Sequence, residues 1–311
     1  MSNYSWWSQQ MLKIVRQCNS LNQPESPRAL CIPFFIKDSQ VGLITPEILP
    51  HIILENDTFE VIRSKQDDAV KMVKLSDSLD TALKRTQMLA EILARWRDHD
   101  AHPSLRGWRN ELHSVKTYFH EDPLLEIERV ATSLFGVKQY GCHLNGFCRT
   151  ERGLLMWIGR RAKTKPTFPS KLDNIAAGGL PAGMSVKDCI VKECAEEASI
   201  PEQLAKQAKP VGCISYLYHN ELGVFPETQF MFDLELPVTF KPFNTDGETS
   251  DFYLLTIDEV KEKVASGEFK PNCALVILSF LIRHGYMSPD TDPFLPLFLQ
   301  EMHSTFKFEE A

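Results

Sequence analysis

The sequence predicts an α/β protein: an α/β/α sandwich with a mixed sheet, preceded by a small α+β unit. Three observations carry that expectation. Strand-like runs in the second half alternate apolar and polar residues, a single acidic helix follows a glycine-rich loop, and a long apolar helix closes the run near His284. A chain of 311 residues exceeds one compact domain, so we divide it into an accessory domain (1–125), a sandwich domain (126–287) and a tail (288–311).

In chain order, Trp7, Met11, Ile14, Val15 and Cys18 follow helical spacing and predict a first helix. The first thirty residues carry Lys13, Arg16 and Arg28 against the single acid Glu25, a bias shared with mitochondrial transit peptides. A plain N-terminal helix and a cytoplasmic protein are expected, with a mitochondrial location as the other option. Residues 30–36 and 41–44 read as a hairpin around Lys37-Asp38-Ser39, and Pro46 opens a short helix to residue 54. Residues 59–62 and 70–75 are strand candidates. The periodic run 77–99 is a helix capped by Asp77 or Ser78.

Residues 105–111 place Arg106 and Arg109 around Trp108 in a loop. Such a triplet either presents cations and a stacking ring to a ligand or clamps one domain on the next. A helix is expected over 124–135, then strands 143–149 and 154–160 around the turn at 150–153. The densest basic run follows, with Arg160, Arg161 and Lys163; beside a glycine loop it suits a few phosphate oxygens, and equally a solvated loop. Residues 172–176 form a short strand leading into that loop. Strands at 211–218, 228–236 and 252–257, helices at 258–266 and 271–284, and a partly helical tail complete the chain.

Residues 178–200 organise the second half. Ser185 with Asp188 three residues on marks a helix start, and Ser199 with Pro201 marks its end. Glu193, Glu196 and Glu197 fall at i, i+3 and i+4, on one face. Like charges so placed repel, and a hard cation with room for water, Mg²⁺ or Mn²⁺, reverses the sign. Most charge runs are solvated faces. Here Glu197 shares the edge of the apolar stripe that holds Ile190, Cys194 and Ala198, so its carboxylate is expected to be partly buried and to need a partner.

This stretch resembles the Nudix box: Gly, five residues, Glu, seven residues, Arg-Glu, an apolar residue, any residue, Glu-Glu, any residue, Gly, apolar. Gly178 takes the first position and Glu193, Glu196 and Glu197 the paired acids. Met184 stands for the isolated Glu, Lys192 for Arg and Ser199 for the second Gly. The resemblance implies that Glu193, Glu196 and Glu197 hold Mg²⁺ or Mn²⁺ with the Gly178 carbonyl, that Lys192 orients a box carboxylate, and that an α/β/α fold surrounds them. Runs at 140–146, 157–166, 172–174, 192–201, 225–228 and 270–275 are similar to the Nudix subfamily related to thiamine pyrophosphokinase. That likeness implies hydrolysis of thiamine diphosphate, above all of oxidised forms such as oxythiamine diphosphate, to the monophosphate and phosphate.

Glu227 and Glu248 are candidates for the distal acid that Nudix enzymes draw from outside the box, or are ordinary loop acids. Trp157, Phe147 and Tyr216 are candidate stacking rings, or core. Three alternatives remain: a hydrolase of nucleoside diphosphate derivatives such as ADP-ribose; an enzyme similar to isopentenyl diphosphate isomerase, for which only Cys142 and His143 offer a cysteine–histidine pair; and a binding module without turnover, supported by Met184.

Composition narrows the partners. A net charge of −7 argues against nucleic acid and acidic membranes, leaving a small-molecule diphosphate as the expected partner. The eight cysteines show no CxxC pair and read as free thiols.

Overall fold

A computed structural model describes residues 6–151 and 153–306. Arg152 of the anticipated hairpin turn, residues 1–5 and the last five residues of the anticipated tail lie outside the described residues.

Helix α1 (Trp6–Cys18) buries Met11, Val15 and Cys18, the stripe read from the sequence. Strands β1 (Ile32–Ile36) and β2 (Ser39–Ile44) form the anticipated hairpin. Helix α2 (Leu49–Leu54), β3 (Phe59–Arg63) and β4 (Val70–Leu75) follow. These strands make one sheet in the order β2-β1-β4-β3, with β1 and β4 parallel.

Helix α3 (Ala82–Asp98) begins later than expected, with Thr81 accepting from the Lys84 amide. Asp77 and Ser78 are spent on a turn instead: Asp77 pairs with Lys74 at 2.8 Å, and the Ser78 hydroxyl meets that of Ser76 at 2.9 Å. The helix expected over 124–135 is absent. In its place β6 (Leu125–Glu128) pairs with β5 (Leu112–Val115), and a single 3-10 turn follows at Arg129–Ala131. Tertiary contacts override the local periodicity: the Leu124 carbonyl accepts from Arg85 at 2.7 Å and the Glu126 amide donates to Thr86 at 2.9 Å, docking β6 on α3.

The second sheet is built from β7 (Gln139–Thr150), β8 (Gly153–Arg161), β9 (Leu172–Asn174), β10 (Ala176–Gly179), β11 (Lys209–Asn220), β12 (Gly223–Glu235) and β13 (Thr249–Thr256). Its order is β11-β12-β7-β8-β13, and β12 runs parallel to β7. Strands β7 and β8 pair only near their turn; beyond it β10 attaches to β7 and β9 to β8. The short pair β9 and β10 thus fills the gap where the long strands diverge. Gly178 and Gly179, expected in a loop, belong to β10.

Helix α4 (Val186–Ala198) and α5 (Glu202–Ala205) cover one face, where Cys189, Ile190 and Cys194 meet Cys142, Leu144 and Phe232. Helices α6 (Ile257–Ala265), α7 (Pro271–Arg283) and α8 (Leu295–Glu301) cover the other. Helix α1 joins this second layer, with Met11 and Val15 in the same core as α7 and the Trp7 indole donating to the Lys261 carbonyl at 2.8 Å. The architecture is an α/β/α sandwich with a mixed sheet, and the four-stranded sheet keeps a core of its own around Phe34, Ile92 and Phe135.

Strand β2 and the turn that leads into β7 meet at glycine distance. A Cβ on Gly42 of β2 would lie 2.1 Å from the Phe135 carbonyl oxygen, and one on Gly136 (φ +54°) would lie 2.1 Å from that of Leu43. All eight cysteines are free. Among the described residues no helix is long and apolar enough to cross a membrane.

Candidate active site

Helix α4 is capped as its sequence implies, with Ser185 Oγ accepting from the Asp188 amide at 3.1 Å. Its buried stripe turns the acidic face toward β10. There the Glu197 carboxylate accepts from the Ala177 amide at 2.7 Å, the partner a half-buried charge requires. One residue on, Gly178 lets helix and strand approach: a Cβ at that position would sit 2.2 Å from the Glu193 carboxyl carbon. Lys192 reaches both remaining acids, Glu193 at 3.2 Å and Glu196 at 2.7 Å. Glu193 is 13% exposed and Glu196 48%, so the ammonium bridges a sheltered carboxylate and an open one.

The C-terminus of α4 binds a distant loop. The Thr245 hydroxyl donates to the Glu196 carbonyl at 2.7 Å and the Phe243 amide to that of Ala198 at 3.4 Å, using carbonyls a helix end leaves unpaired. Asn244 then accepts from the amides of Asp246 and Gly247, and Asp246 from that of Glu248. This turn brings carboxylate oxygens of Asp246 and Glu248 within 4.8 Å of each other and of Glu197. Glu248 also forms an ion pair with Lys165.

Electrostatics separate these acids. Burial, reinforced by the nearby negative charge of Asp173, pushes Glu197 well above the usual carboxylate range, against the Ala177 amide and Lys165. Burial also raises Glu193, and Lys192 offsets part of that. Burial would raise Glu248 too, but Lys165, with Arg109 and Arg129 behind it, holds that carboxyl below its ordinary value. Three carboxylates that crowd together, with Glu197 pushed toward its neutral form by burial, fit a hard divalent cation, which would relieve both the crowding and the cost of ionising Glu197.

Not every residue singled out in the sequence joins this cluster. Glu248 does; Glu227 does not, since it lies on β12 and accepts from Tyr216 at 2.5 Å and Gln229 at 2.8 Å. Arg160 stacks on Tyr253 and donates to its hydroxyl at 3.0 Å and to the Ser170 carbonyl at 2.9 Å. Arg161 is buried, bonded to Asp173 at 2.8 Å and to the carbonyls of Thr167 and Phe168. It fixes the loop before β9. Lys163 is exposed, and Lys165 is the member of the basic run that reaches the acids.

Trp157 packs edge-on against Phe240, with its indole N–H buried and unpartnered among the described residues. Phe147 and Tyr216 are core. Cys142 and His143 point to opposite faces, Cys142 to Cys189 and His143 to Asn174. They cannot act as a pair. His143 lies instead beside Asp173 and Cys273 in a second buried group. Burial and the Lys270 charge lower His143 to about 4; burial would raise Asp173, but Lys270 and Arg161 bring it down to about 2. With Asp173 already bound to Arg161 and to the Cys273 thiol, this group braces β9.

Asp246, Lys165 and Asp173 went unselected in the sequence. Asp246 and Lys165 had a signal, since Asp246 stands two residues before Glu248 and Lys165 ends the basic run.

Comparison with known proteins identifies the family. A family model described as a domain of unknown function, DUF4743, matches residues 10–139. Nudix hydrolase 20, chloroplastic, of Arabidopsis thaliana is 35% identical over 94% of this chain and 78% of its own length. Nudix hydrolase 24, chloroplastic, of the same plant is 37% identical over 86% and 71%. The solved structure of DR0079 from Deinococcus radiodurans is 21% identical, covering 57% of this chain and all of that one, with a TM-score of 0.41. By its identity to the two plant proteins over most of both lengths, the chain belongs to the Nudix hydrolase family and is an enzyme of that hydrolase class.

Proposed function

We propose that the protein is a divalent-metal-dependent diphosphatase whose substrates are thiamine diphosphates, oxidised forms such as oxythiamine diphosphate foremost. The observation that carries the diphosphatase reading is the convergence of Glu197, Asp246 and Glu248, from two separate segments, beside the Glu193–Lys192–Glu196 face. The thiamine assignment rests on the sequence runs similar to the thiamine-related Nudix subfamily.

Glu197, Asp246 and Glu248, with Glu193, Glu196 and the Gly178 carbonyl next to them, would hold Mg²⁺ or Mn²⁺. A bound cation supplies neutralisation of the diphosphate oxygens and a more acidic water. The protein does the rest. Lys192 holds Glu193 and Glu196 at fixed spacing, Gly178 admits Glu193 against the strand, and Lys165 keeps Glu248 ionised and turned inward. One of these carboxylates would also take the proton of the attacking water.

The test is hydrolysis with Mg²⁺ or Mn²⁺ of oxythiamine diphosphate, thiamine diphosphate and isopentenyl diphosphate, read as inorganic phosphate, and of ADP-ribose, read as AMP and ribose phosphate, with Glu197→Gln as control. Preference for oxidised thiamine diphosphates, lost by ~100-fold or more in the variant, is expected. Preference for ADP-ribose, or a Glu197→Gln protein of full activity, would overturn the substrate or the metal assignment respectively.

A further inference from the structure

We infer that Arg109 and Arg129, both ahead of β7, the first strand of the sandwich sheet, bind the diphosphate of the substrate, so that the segment N-terminal to that sheet completes the active site. The inference rests on the diphosphatase reading above.

The Arg106-Gly-Trp-Arg109 run divides cleanly. Arg106 makes a two-point contact with Asp100, at 2.7 and 2.6 Å. Trp108 lies under Arg97, whose guanidinium is 4.5 Å from the ring, and its indole donates to Asn110 at 2.9 Å. Those two residues serve the fold.

Arg109 is different. Its amide is fixed by Glu128 at 2.9 Å, yet its side chain is exposed and meets no carboxylate within 4.0 Å among the described residues. Its charge is still felt at Glu248. Its backbone is thus tied to the residue next to Arg129, and an unpaired guanidinium held there is placed to receive an anion together with Arg129.

Arg129 follows Glu128 directly. Its amide donates to the Glu111 carbonyl at 2.8 Å and one guanidinium nitrogen lies 3.2 Å from the Glu111 carboxylate, which also meets His113 at 3.0 Å. The guanidinium carbon is 3.2 Å from where a Cβ on Gly179 would stand, and Gly179 adjoins the Gly178 on which Glu193 rests. Arg129 is therefore beside the box strand, with its charge reaching Glu193 and Glu248. Glu111 engages one N–H of a five-donor fork, and 42% of the side chain stays exposed.

The acids of the site suit cations, and cations alone do not orient a diphosphate. Planar guanidinium forks match phosphate oxygens in two-point contacts, which Lys165, a point charge already paired with Glu248, does not offer. The ligand class is a diphosphate monoester with its outer oxygens toward the two arginines.

The experiment uses the full chain with Arg109→Ala, Arg129→Ala, the double variant and Arg129→Lys. It reads kcat and KM for oxythiamine diphosphate with Mg²⁺, titration with inorganic diphosphate in the presence of Mg²⁺, and melting temperature. Each alanine should raise KM by ~10- to 100-fold with little change in kcat, weaken inorganic diphosphate similarly and leave melting nearly unchanged, and lysine should restore part of the affinity. Unchanged KM and unchanged diphosphate binding in folded variants would overturn the inference. So would losses that track a fall in melting temperature and are absent in a folded Arg129→Lys protein. If the wild type hydrolyses none of the diphosphates tested, the diphosphatase reading fails separately, and the diphosphate titration of wild type against the double variant still decides the arginines.

Discussion

Replacing Gly178 by alanine tests the geometry at the heart of the site. The added methyl would lie 2.2 Å from the Glu193 carboxyl carbon, 2.4 Å from Oε1 and 2.7 Å from Cγ. Carbon atoms rest at roughly 3.5 Å, so the carboxylate must retreat by about 1 Å or more. It is only 13% exposed and Lys192 holds it at 3.2 Å, so the retreat breaks that contact or drags Lys192 from Glu196. Backbone strain is not at issue, because Gly178 lies in β10 and is not among the positive-φ glycines. A misplacement of this size at a catalytic group costs about 100-fold in rate. Stopped assays of phosphate release at saturating substrate and Mg²⁺, with melting followed by circular dichroism, should show kcat reduced by about that factor in a protein that melts within a few degrees of wild type. An alanine variant with wild-type kcat would refute the placement of Glu193 in the reaction.

Asp233 offers a stability test away from the site: it accepts from Arg283 at 2.6 Å, His284 at 2.9 Å and Asn145 at 3.0 Å. Burial would raise it, but those hydrogen bonds outweigh burial and hold it below the ordinary range. Its contribution is thus present above the unfolded value near pH 4 and is lost as pH falls through the lower folded value. Asp233→Asn should cost about 2–3 kcal/mol in urea unfolding at pH 7 and flatten the acid limb of stability against pH; an unchanged acid limb would count against it. Gly42→Ala places a methyl 2.1 Å from the Phe135 carbonyl, where both sides are backbone, and should cost about 2–3 kcal/mol by the same measurement. A loss under ~0.5 kcal/mol would show that β2 is not locked to the turn before β7 there.

The sequence made the sandwich legible because its strands and helices obey local rules. Helix α4 is bounded by Ser185 and Ser199, α7 by Pro271 and the run before Gly285, and both read correctly. Residues 124–135 did not, because an apolar pattern of that length suits helix or strand and pairing with β5 decided between them. The acidic face of α4 was visible from spacing alone. The approach of Asp246 and Glu248 was not, since it depends on Thr245 and Phe243 capping α4 from fifty residues away in sequence, about which a local reading is silent. Basic residues posed the converse difficulty: Arg161 and Lys163 are indistinguishable in sequence from Lys165, and only the fold sends one to Asp173, one to solvent and one to Glu248.

The position of α1 sets a timetable for synthesis. Trp7 bonds to Lys261 across 254 residues and Ser8 to Asp292 across 284, so α1 belongs to a layer whose other helices are made more than two hundred residues later. At about 5–20 residues per second, that helix waits roughly ten seconds to a minute for α6 and α7. Meanwhile the four-stranded sheet, whose core is contained within residues 32–137, has all its partners in hand. Met11 and Val15 remain uncovered through that interval, so a nascent chain of this protein is expected to carry an exposed apolar helix, a handle for chaperones, until α7 arrives to close it.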